Sequence, residues 1–269
     1  MDVTAYLERI NYRGSIEPTG ETLRFLQIEH LLTVPFENLS IHAGEPIVLD
    51  EEILFDKIVR RRRGGFCYEA NGMFAALLCE LGFKVEMLSA RVARADGSFG
   101  SEFDHLTLRV EIGENDFLAD VGFGDSFLEP LRLNFQNEQT QGSWSYLIKK
   151  EGEELTLLQR KPNEDWMPQY IFTLKPYQFS DFAGMCRYHQ TSPNSHFTKQ
   201  LVCSRATTNG RITLTDSRFI ETIKEEKHER MLNGKDEFRK LLQEHFGIVL
   251  NETQLSAIFG RDGKHNANV

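Results

Sequence analysis

Nowhere in the 269 residues does an apolar run approach the roughly 20 residues that a membrane-spanning helix needs, so none is expected. The opening stretch MDVTAYLERINYRG has neither a basic n-region nor an apolar h-region, so no secretory signal is expected. There is no CxxC pair, and the eight histidines show no HExxH or paired zinc spacing, so no metal is expected. The four cysteines, 67, 79, 186 and 203, then read as reduced thiols, which points to a cytoplasmic protein. A basic excess is also missing. The net charge is −9, which argues against a nucleic-acid partner or an anionic membrane surface. No internal repeat and no low-complexity tract interrupts the chain.

The chain is long enough for one large domain or two to three small ones. Its 20 phenylalanines suggest an aromatic interior or pocket. The first 83 residues read as helical. Leu23, Leu26, Leu31 and Leu32 form a stripe that Pro35 ends. Asp50 fits the N-cap of EEILFDKIVRRR, which Gly64-Gly65 would stop. A further helix begins near Cys67 and carries Ala70, Met73, Phe74, Leu77, Leu78 and Leu81 at helical spacing, with Gly82 as its stop. The period then changes to short β-branched and aromatic runs: KVEMLSARVAR, FDHLTLRVEI, DFLADVGF, SYLIKK, ELTLLQR and QYIFTL. A hairpin is expected at LVCSRAT and RITLTD, turning at Asn209-Gly210 in a type I′ turn. Residues 235–246 read as an amphipathic helix, and the polar tail GRDGKHNANV as frayed. Helices, then strands, then a mixed end make an α+β multidomain fold and not alternating βαβ units. The expected divisions are 1–83 (helical), 84–190 (a small β-barrel or sandwich) and 191–269 (mixed α/β).

Cys67 has the one chemically suggestive cysteine setting. A helix N-terminus stabilises an anion, and Arg61, Arg62 and Arg63 are candidate cations, so a lowered thiol pKa is expected. Gly64-Gly65 would let a ligand come close to backbone. The plain alternative is a buried small hydrophobe; Cys79, Cys186 and Cys203, without a comparable setting, read as packing residues. A cysteine nucleophile wants a base and a group that orients the base. His105 lies on the polar face of its strand, with Thr107, Arg109 and Glu111, and Asp120 lies in the next strand. With Gly113-Glu114 as a type II′ turn, paired residue numbers sum to 227 and Asp120 opposes Thr107, diagonal to His105. With Asn115 inside the turn the offset grows. A surface strand histidine and an edge carboxylate remain the alternatives.

The segments RGGFCYE, DHLTL, DVGFG, VPFENL (34–39) and TSPNSHF (191–197) resemble the arylamine N-acetyltransferases of bacterial type, in order and spacing, from about residue 3 to 250. Ala70 departs from the commonest bacterial form, at a position without a chemical role. The resemblance implies a helical first domain, a β-barrel second domain and an α/β lid, with a papain- or transglutaminase-like Cys-His-Asp arrangement. It implies that Cys67 takes an acetyl group from acetyl-CoA, that His105 is its base and that Asp120 orients His105. The acetyl group then passes to an arylamine, arylhydrazine or N-hydroxyarylamine in a two-step, ping-pong reaction. Phe36, Phe123 and Phe197 would line the aryl pocket; Thr107, Gly122, Phe123 and Gly124 would lie at the coenzyme A. Glu37 and Arg63 would pair to brace the active-site helix, Glu69 and Asn71 would support the triad, and the Cys67 N–H would be one oxyanion donor. Three other readings compete: an amide synthase of the same fold, a thiol hydrolase or transglutaminase-like enzyme, and a binding module without activity.

Overall fold

A computed structural model describes residues 1–134, 136–224 and 226–260. The polar tail beyond Gly260, for which fraying was expected, lies outside the described residues. The helical start comprises α1 (Val3–Arg9), α2 (Gly20–Thr33), α3 (Leu39–Ala43), α4 (Glu51–Phe55) and α5 (Cys67–Glu80), with a two-residue strand β1 (Phe36–Glu37) between α2 and α3. Asp2, Thr19 and Asp50 cap α1, α2 and α4, each accepting from a backbone N–H of the first turn. Helix α4 runs on as a π-helical turn, Asp56–Arg60, and stops one turn before the expected glycine pair. The break falls at Arg62, which takes φ +52°. That backbone is tied down by Arg9, whose guanidinium donates to the carbonyls of Ile58, Thr33, Arg62 and Arg63.

Helix α5 is central and buried over most of its length. A helix apolar almost all round must have neighbours on every side. Phe74, Leu77 and Leu78 pack among the other helices and against Leu106, Leu108 and Val110 of the sheet. Burying each such side chain contributes about 1.5–3 kcal/mol.

From residue 84 the chain forms β2 (Lys84–Val92), β3 (His105–Ile112), β4 (Asn115–Ala119), β5 (Leu131–Arg132), β6 (Gln139–Gln141), β7 (Trp144–Glu151), β8 (Glu154–Arg160) and β9 (Met167–Tyr177). They make one antiparallel sheet in the order β5-β4-β3-β2-β9-β8-β7-β6. The two edges are joined by side chains. Gln139 bonds both the N–H and the C=O of Arg132, and Gln141 does the same with Glu129. The result is a nearly closed barrel with Leu88, Leu118, Leu157, Tyr170 and Phe172 inside. Ile112 pairs with Asn115 and Leu108 with Ala119, the register of a two-residue turn at Gly113-Glu114, and Gly113 carries φ +61°.

Residues 178–190, which the sequence grouped with the barrel, fold instead as a 3-10 turn and α6 (Ala183–Thr191). Phe182 and Cys186 there pack into the helical core. The last part comprises α7 (His196–Lys199), β10 (Cys203–Thr207), β11 (Gly210–Leu214), β12 (Arg218–Ile223), β13 (Glu226–Met231), α8 (Lys235–Phe246) and α9 (Glu252–Phe259). The sheet order is β1-β10-β11-β12-β13, so β1 from the helical part joins this sheet. The β10–β11 hairpin forms, but Thr207 pairs with Gly210, so Thr208-Asn209 make the turn. Gly210 has φ +156° and sits where a Cβ would come 1.9 Å from the Thr222 carbonyl oxygen. The glycine is needed for that approach and is not a residue of the turn itself.

Candidate functional site

Cys67 is the first residue of α5. Phe66 precedes it in extended conformation, and its N–H donates to Glu69 Oε2, which fixes the first turn. Glu69 Oε1 accepts from Lys57 Nζ at 2.6 Å. Glu37 accepts from Arg63 Nε at 2.9 Å and from the Leu39 N–H at 2.7 Å. All four charged side chains are buried. Burial alone would raise the Glu37 carboxyl, but Arg63 and Lys57 outweigh it and hold it below the usual range. Burial raises Glu69, against the pull of Lys57. Breaking one member of so buried a set leaves a charge without a partner, at a cost of about 3–5 kcal/mol.

Neither flanking arginine that the structure pairs is available to a thiolate. Arg63 is bound to Glu37, and Arg61 to Asp56 at 2.9 Å. Gly64 admits not a ligand but the chain itself. A Cβ there would lie 1.8 Å from the Pro35 carbonyl oxygen, where β1 passes.

The polar face of β3 turns out to be covered. His105 and Thr107 are buried on the barrel side of the sheet, next to Tyr170. His105 Nε2 lies 2.7 Å from Asp120 Oδ2. Asp120 is one residue past β4, in the bend that follows it. Its other contacts come from Asn71 Nδ2 at 2.8 Å and the Gly122 N–H at 2.9 Å, both to Oδ1, and from the Tyr170 hydroxyl at 3.1 Å to Oδ2. Burial would raise this carboxyl; His105, Asn71 and the Gly122 N–H outweigh burial and hold it below the carboxylate range. Because Nε2 is committed to Asp120, Nδ1 is the nitrogen His105 can offer elsewhere.

Asn71 ties the helix to this pair. It also donates to the Leu106 carbonyl at 2.6 Å and accepts from the Val121 N–H at 2.8 Å. The bend lies against Cys67 itself, because a Cβ on Gly122 would come 2.7 Å from Cys67 Cα. The thiol is buried. Burial pushes its pKa up; a backbone hydrogen bond from Leu106 works against this, and Asp120 and Asp104 add to it. The lowered pKa expected from the helix terminus is therefore overturned for the thiol taken alone. An isolated thiolate is disfavoured here; a thiolate whose proton has moved to the imidazole leaves the pair neutral.

Cys67, His105, Phe36, Phe123 and Phe197, with Gly122 and Gly124, line one cavity of about 1020 Å³. Phe123 packs edge-on to His105 at 5.1 Å, and Phe197 lies 6.1 Å from Phe36. Thr107 is not part of this wall. It is fully buried, with its hydroxyl 3.3 Å from that of Tyr170 and 3.4 Å from the Ala119 carbonyl, so the structure does not bring it to the cavity where a cofactor contact was expected of it. Sequence reasoning missed Tyr170 and Gln27, whose Oε1 accepts from the Asp120 N–H at 3.1 Å. No local pattern marks either residue. It also missed Asp104, His189, Arg94, Arg211 and Arg218 in the cavity wall.

A cysteine at a helix N-terminus, sharing a cavity with a carboxylate-bound histidine, can exchange acyl groups through sulfur; these are the parts of a thiol acyltransferase. Comparison with known proteins agrees. The N-acetyltransferase family model matches residues 19–255. The arylamine N-acetyltransferase 1 of Homo sapiens is 34% identical over 275 residues, covering 93% of this chain and 95% of the human one. The arylamine N-acetyltransferase of Escherichia coli (strain K12) is 35% identical over 254 residues, covering 93% and 89%. Among solved structures, the Salmonella typhimurium arylamine N-acetyltransferase superposes with TM-score 0.91 at 31% identity, covering 96% of this chain and 98% of that one. The Mycobacterium marinum enzyme in complex with CoA gives 0.88 at 31% identity, covering 97% and 99%. The chain belongs to the arylamine N-acetyltransferase family.

Proposed function

We propose that this protein acetylates arylamines, arylhydrazines and N-hydroxyarylamines with acetyl-CoA, in two steps through an acetyl-Cys67 intermediate. The observation that carries this is the buried Asp120–His105 pair in the wall of the cavity that holds Cys67. His105 Nδ1 takes the thiol proton. The sulfur attacks the thioester carbonyl, the C–S bond to coenzyme A breaks, and the departing thiolate takes the proton back. One thioester replaces another, so this step needs little driving force. The amine nitrogen then attacks the acetyl carbon, its proton passes to His105, and the Cys67 sulfur leaves. The arrangement is of papain and transglutaminase type.

Asp120 holds the tautomer with hydrogen on Nε2 and favours the imidazolium formed in each step. The Cys67 N–H, which has no intrahelical partner at the first turn of α5, is one donor for the tetrahedral oxyanion. Phe36, Phe123 and Phe197 offer flat apolar surface for an aryl ring and keep water from the acetyl-enzyme. Gly122, Phe123 and Gly124 would lie along the coenzyme A arm. Arg94, Arg211 and Arg218 in the same wall suit its phosphates. The domain roles follow: 1–83 carries the nucleophile, 84–190 the histidine and aspartate, and the remainder covers the cavity. A reduced thiol nucleophile suits the cytoplasm.

Initial rates measured against acetyl-CoA at several arylamine concentrations test the order of events. Parallel double-reciprocal lines, abolished in Cys67→Ser, are expected. Intersecting lines would mean direct transfer in a ternary complex and overturn the reading.

A further inference from the structure

A second histidine stands in the wall of the same cavity, and the chemistry above does not use it. His189 Nε2 lies 3.1 Å from Asp104 Oδ1, and its Nδ1 lies 3.1 Å from Ser195 Oγ. Both His189 and Ser195 are buried. A carboxylate only accepts, so Nε2 carries the hydrogen and Nδ1 of the neutral ring accepts the Ser195 hydroxyl. Ser195 Oγ in turn accepts the Phe197 N–H at 3.2 Å. The chain of bonds therefore runs Asp104, His189, Ser195, Phe197. The Asp104 carboxylate has its place because residue 100 is glycine; a Cβ there would come 2.1 Å from Asp104 Oδ2.

Apart from this chain of bonds, Phe197 is held by its carbonyl and by its ring, which packs edge-on to Phe66 at 5.5 Å and lies 6.1 Å from Phe36. It sits on α7, a four-residue helix, which has no stability of its own. Its carbonyl is bound by Asn38 Nδ2 and His42 Nε2, each at 3.0 Å, and its N–H by the Ser195 hydroxyl oxygen at 3.2 Å. The His189 ring packs edge-on to Phe197 at 5.2 Å and stacks on Tyr68 at 6.1 Å. Tyr68 donates to the Phe103 carbonyl at 2.7 Å. One imidazole thus links the residue just before the strand that starts at His105, the helix that carries Cys67 and the short helix that carries Phe197.

We infer that His189 is a positioning residue for the amine acceptor: through Ser195 it places Phe197 and so shapes the aryl pocket, while thioester exchange at Cys67 proceeds without it. The inference rests on the function proposed above. The Asp120–His105 pair shares no side-chain atom with the Asp104–His189–Ser195 chain, which is why the two half-reactions should separate.

The test first times acetyl-CoA-dependent acetylation of the wild type by mass, then discharge by a substituted aniline over a range of concentrations. His189→Phe keeps the ring contacts and loses both hydrogen bonds. Its KM for the aniline should rise on the order of tenfold, from the lost ordering bonds, with Cys67 acetylated at a rate within about twofold of wild type. His189→Asn, whose amide oxygen can accept the Ser195 hydroxyl where Nδ1 did, should recover most of that loss. Ser195→Ala should repeat the rise, and it carries the test if His189→Phe does not fold. An unchanged KM in both His189→Phe and Ser195→Ala, or equal slowing of both half-reactions, overturns the positioning role. A wild type that acetyl-CoA does not acetylate overturns the underlying function instead, before any variant is compared.

Discussion

Asp120→Asn separates the catalytic use of the buried carboxylate from its structural use. All four hydrogen-bond partners of the Asp120 carboxylate, three side chains and one backbone N–H, are donors in the folded protein. Oδ1 receives Asn71 and the Gly122 N–H; Oδ2 receives His105 and Tyr170. An amide has only one accepting end. If its NH₂ faced Asn71 and Gly122, two buried donors would be opposed. Asn71 cannot turn to relieve this, because its own oxygen holds the Val121 N–H. The amide NH₂ therefore faces His105 and Tyr170, which both adapt. Tyr170 turns to Thr107, 3.3 Å away, and His105 moves its hydrogen to Nδ1. The adaptation costs about 1–2 kcal/mol of stability, the net value of one or two hydrogen bonds. For catalysis it is the wrong tautomer, since Nδ1–H cannot take the thiol proton. A triad so altered loses on the order of 10³–10⁴ in rate, equivalent to about 4–5.5 kcal/mol of transition-state stabilisation. The assay is the single-turnover rate of Cys67 acetylation, with a thermal melt beside it. A folded variant acetylated within about tenfold of wild type would refute the tautomer argument.

Two other perturbations have clear signs. Gly122→Ala places a methyl 2.7 Å from Cys67 Cα, closer than folded proteins allow, so the bend and the helix must separate. We expect acetylation to slow on the order of 10²-fold, the usual consequence of a displacement near 1 Å, with a loss of about 1–3 kcal/mol of stability in the melt; an unchanged acetylation rate would show that the bend yields without moving the thiol. His30 is buried between Tyr6 and Phe74, its ring nitrogens have no hydrogen-bond partner among the described residues, and burial lowers its pKa from 6.5 to about 3. The unfolded chain therefore binds a proton that the folded one refuses. The stability His30 contributes is present above pH 6.5 and is lost as pH falls toward 3, by on the order of 4–5 kcal/mol at most. His30→Phe should flatten that part of the stability–pH curve; an identical slope would mean that His30 is protonated in the fold.

Much of this site was legible in the residues, for physical reasons. Helical spacing around Cys67 placed it at the start of α5, and the two-residue turn at Gly113-Glu114 set the register that brings Asp120 beside His105. Local periodicity and turn chemistry carry that much. What it could not carry was what packs over the polar face of β3. His105 and Thr107 read as a polar face, with a surface histidine left open as the alternative, because alternation shows polarity and not what covers it; Tyr170, 50 residues beyond Asp120, covers it. The arginines beside Cys67 looked like its cations, but partners distant in sequence such as Glu37 had already taken the nearest. The Asn-Gly pair marked the β10–β11 hairpin correctly and its turn by one residue too far, because the approach of β12 decides where the glycine is needed. The helix N-terminus and the arginines before Cys67 argued for a low thiol pKa; burial, invisible in one dimension, pushes it the other way.

The central claim is that Cys67 carries the acetyl group between donor and acceptor. The most direct test is an intact-protein mass spectrum after brief mixing with acetyl-CoA, beside Cys67→Ala. The account predicts a gain of one acetyl group, absent in the variant and discharged on adding an arylamine. Well-folded protein that gains nothing, or a Cys67→Ala variant that gains as much, would contradict it. The first outcome would favour the amide synthase or thiol hydrolase reading, and the second would move the nucleophile elsewhere.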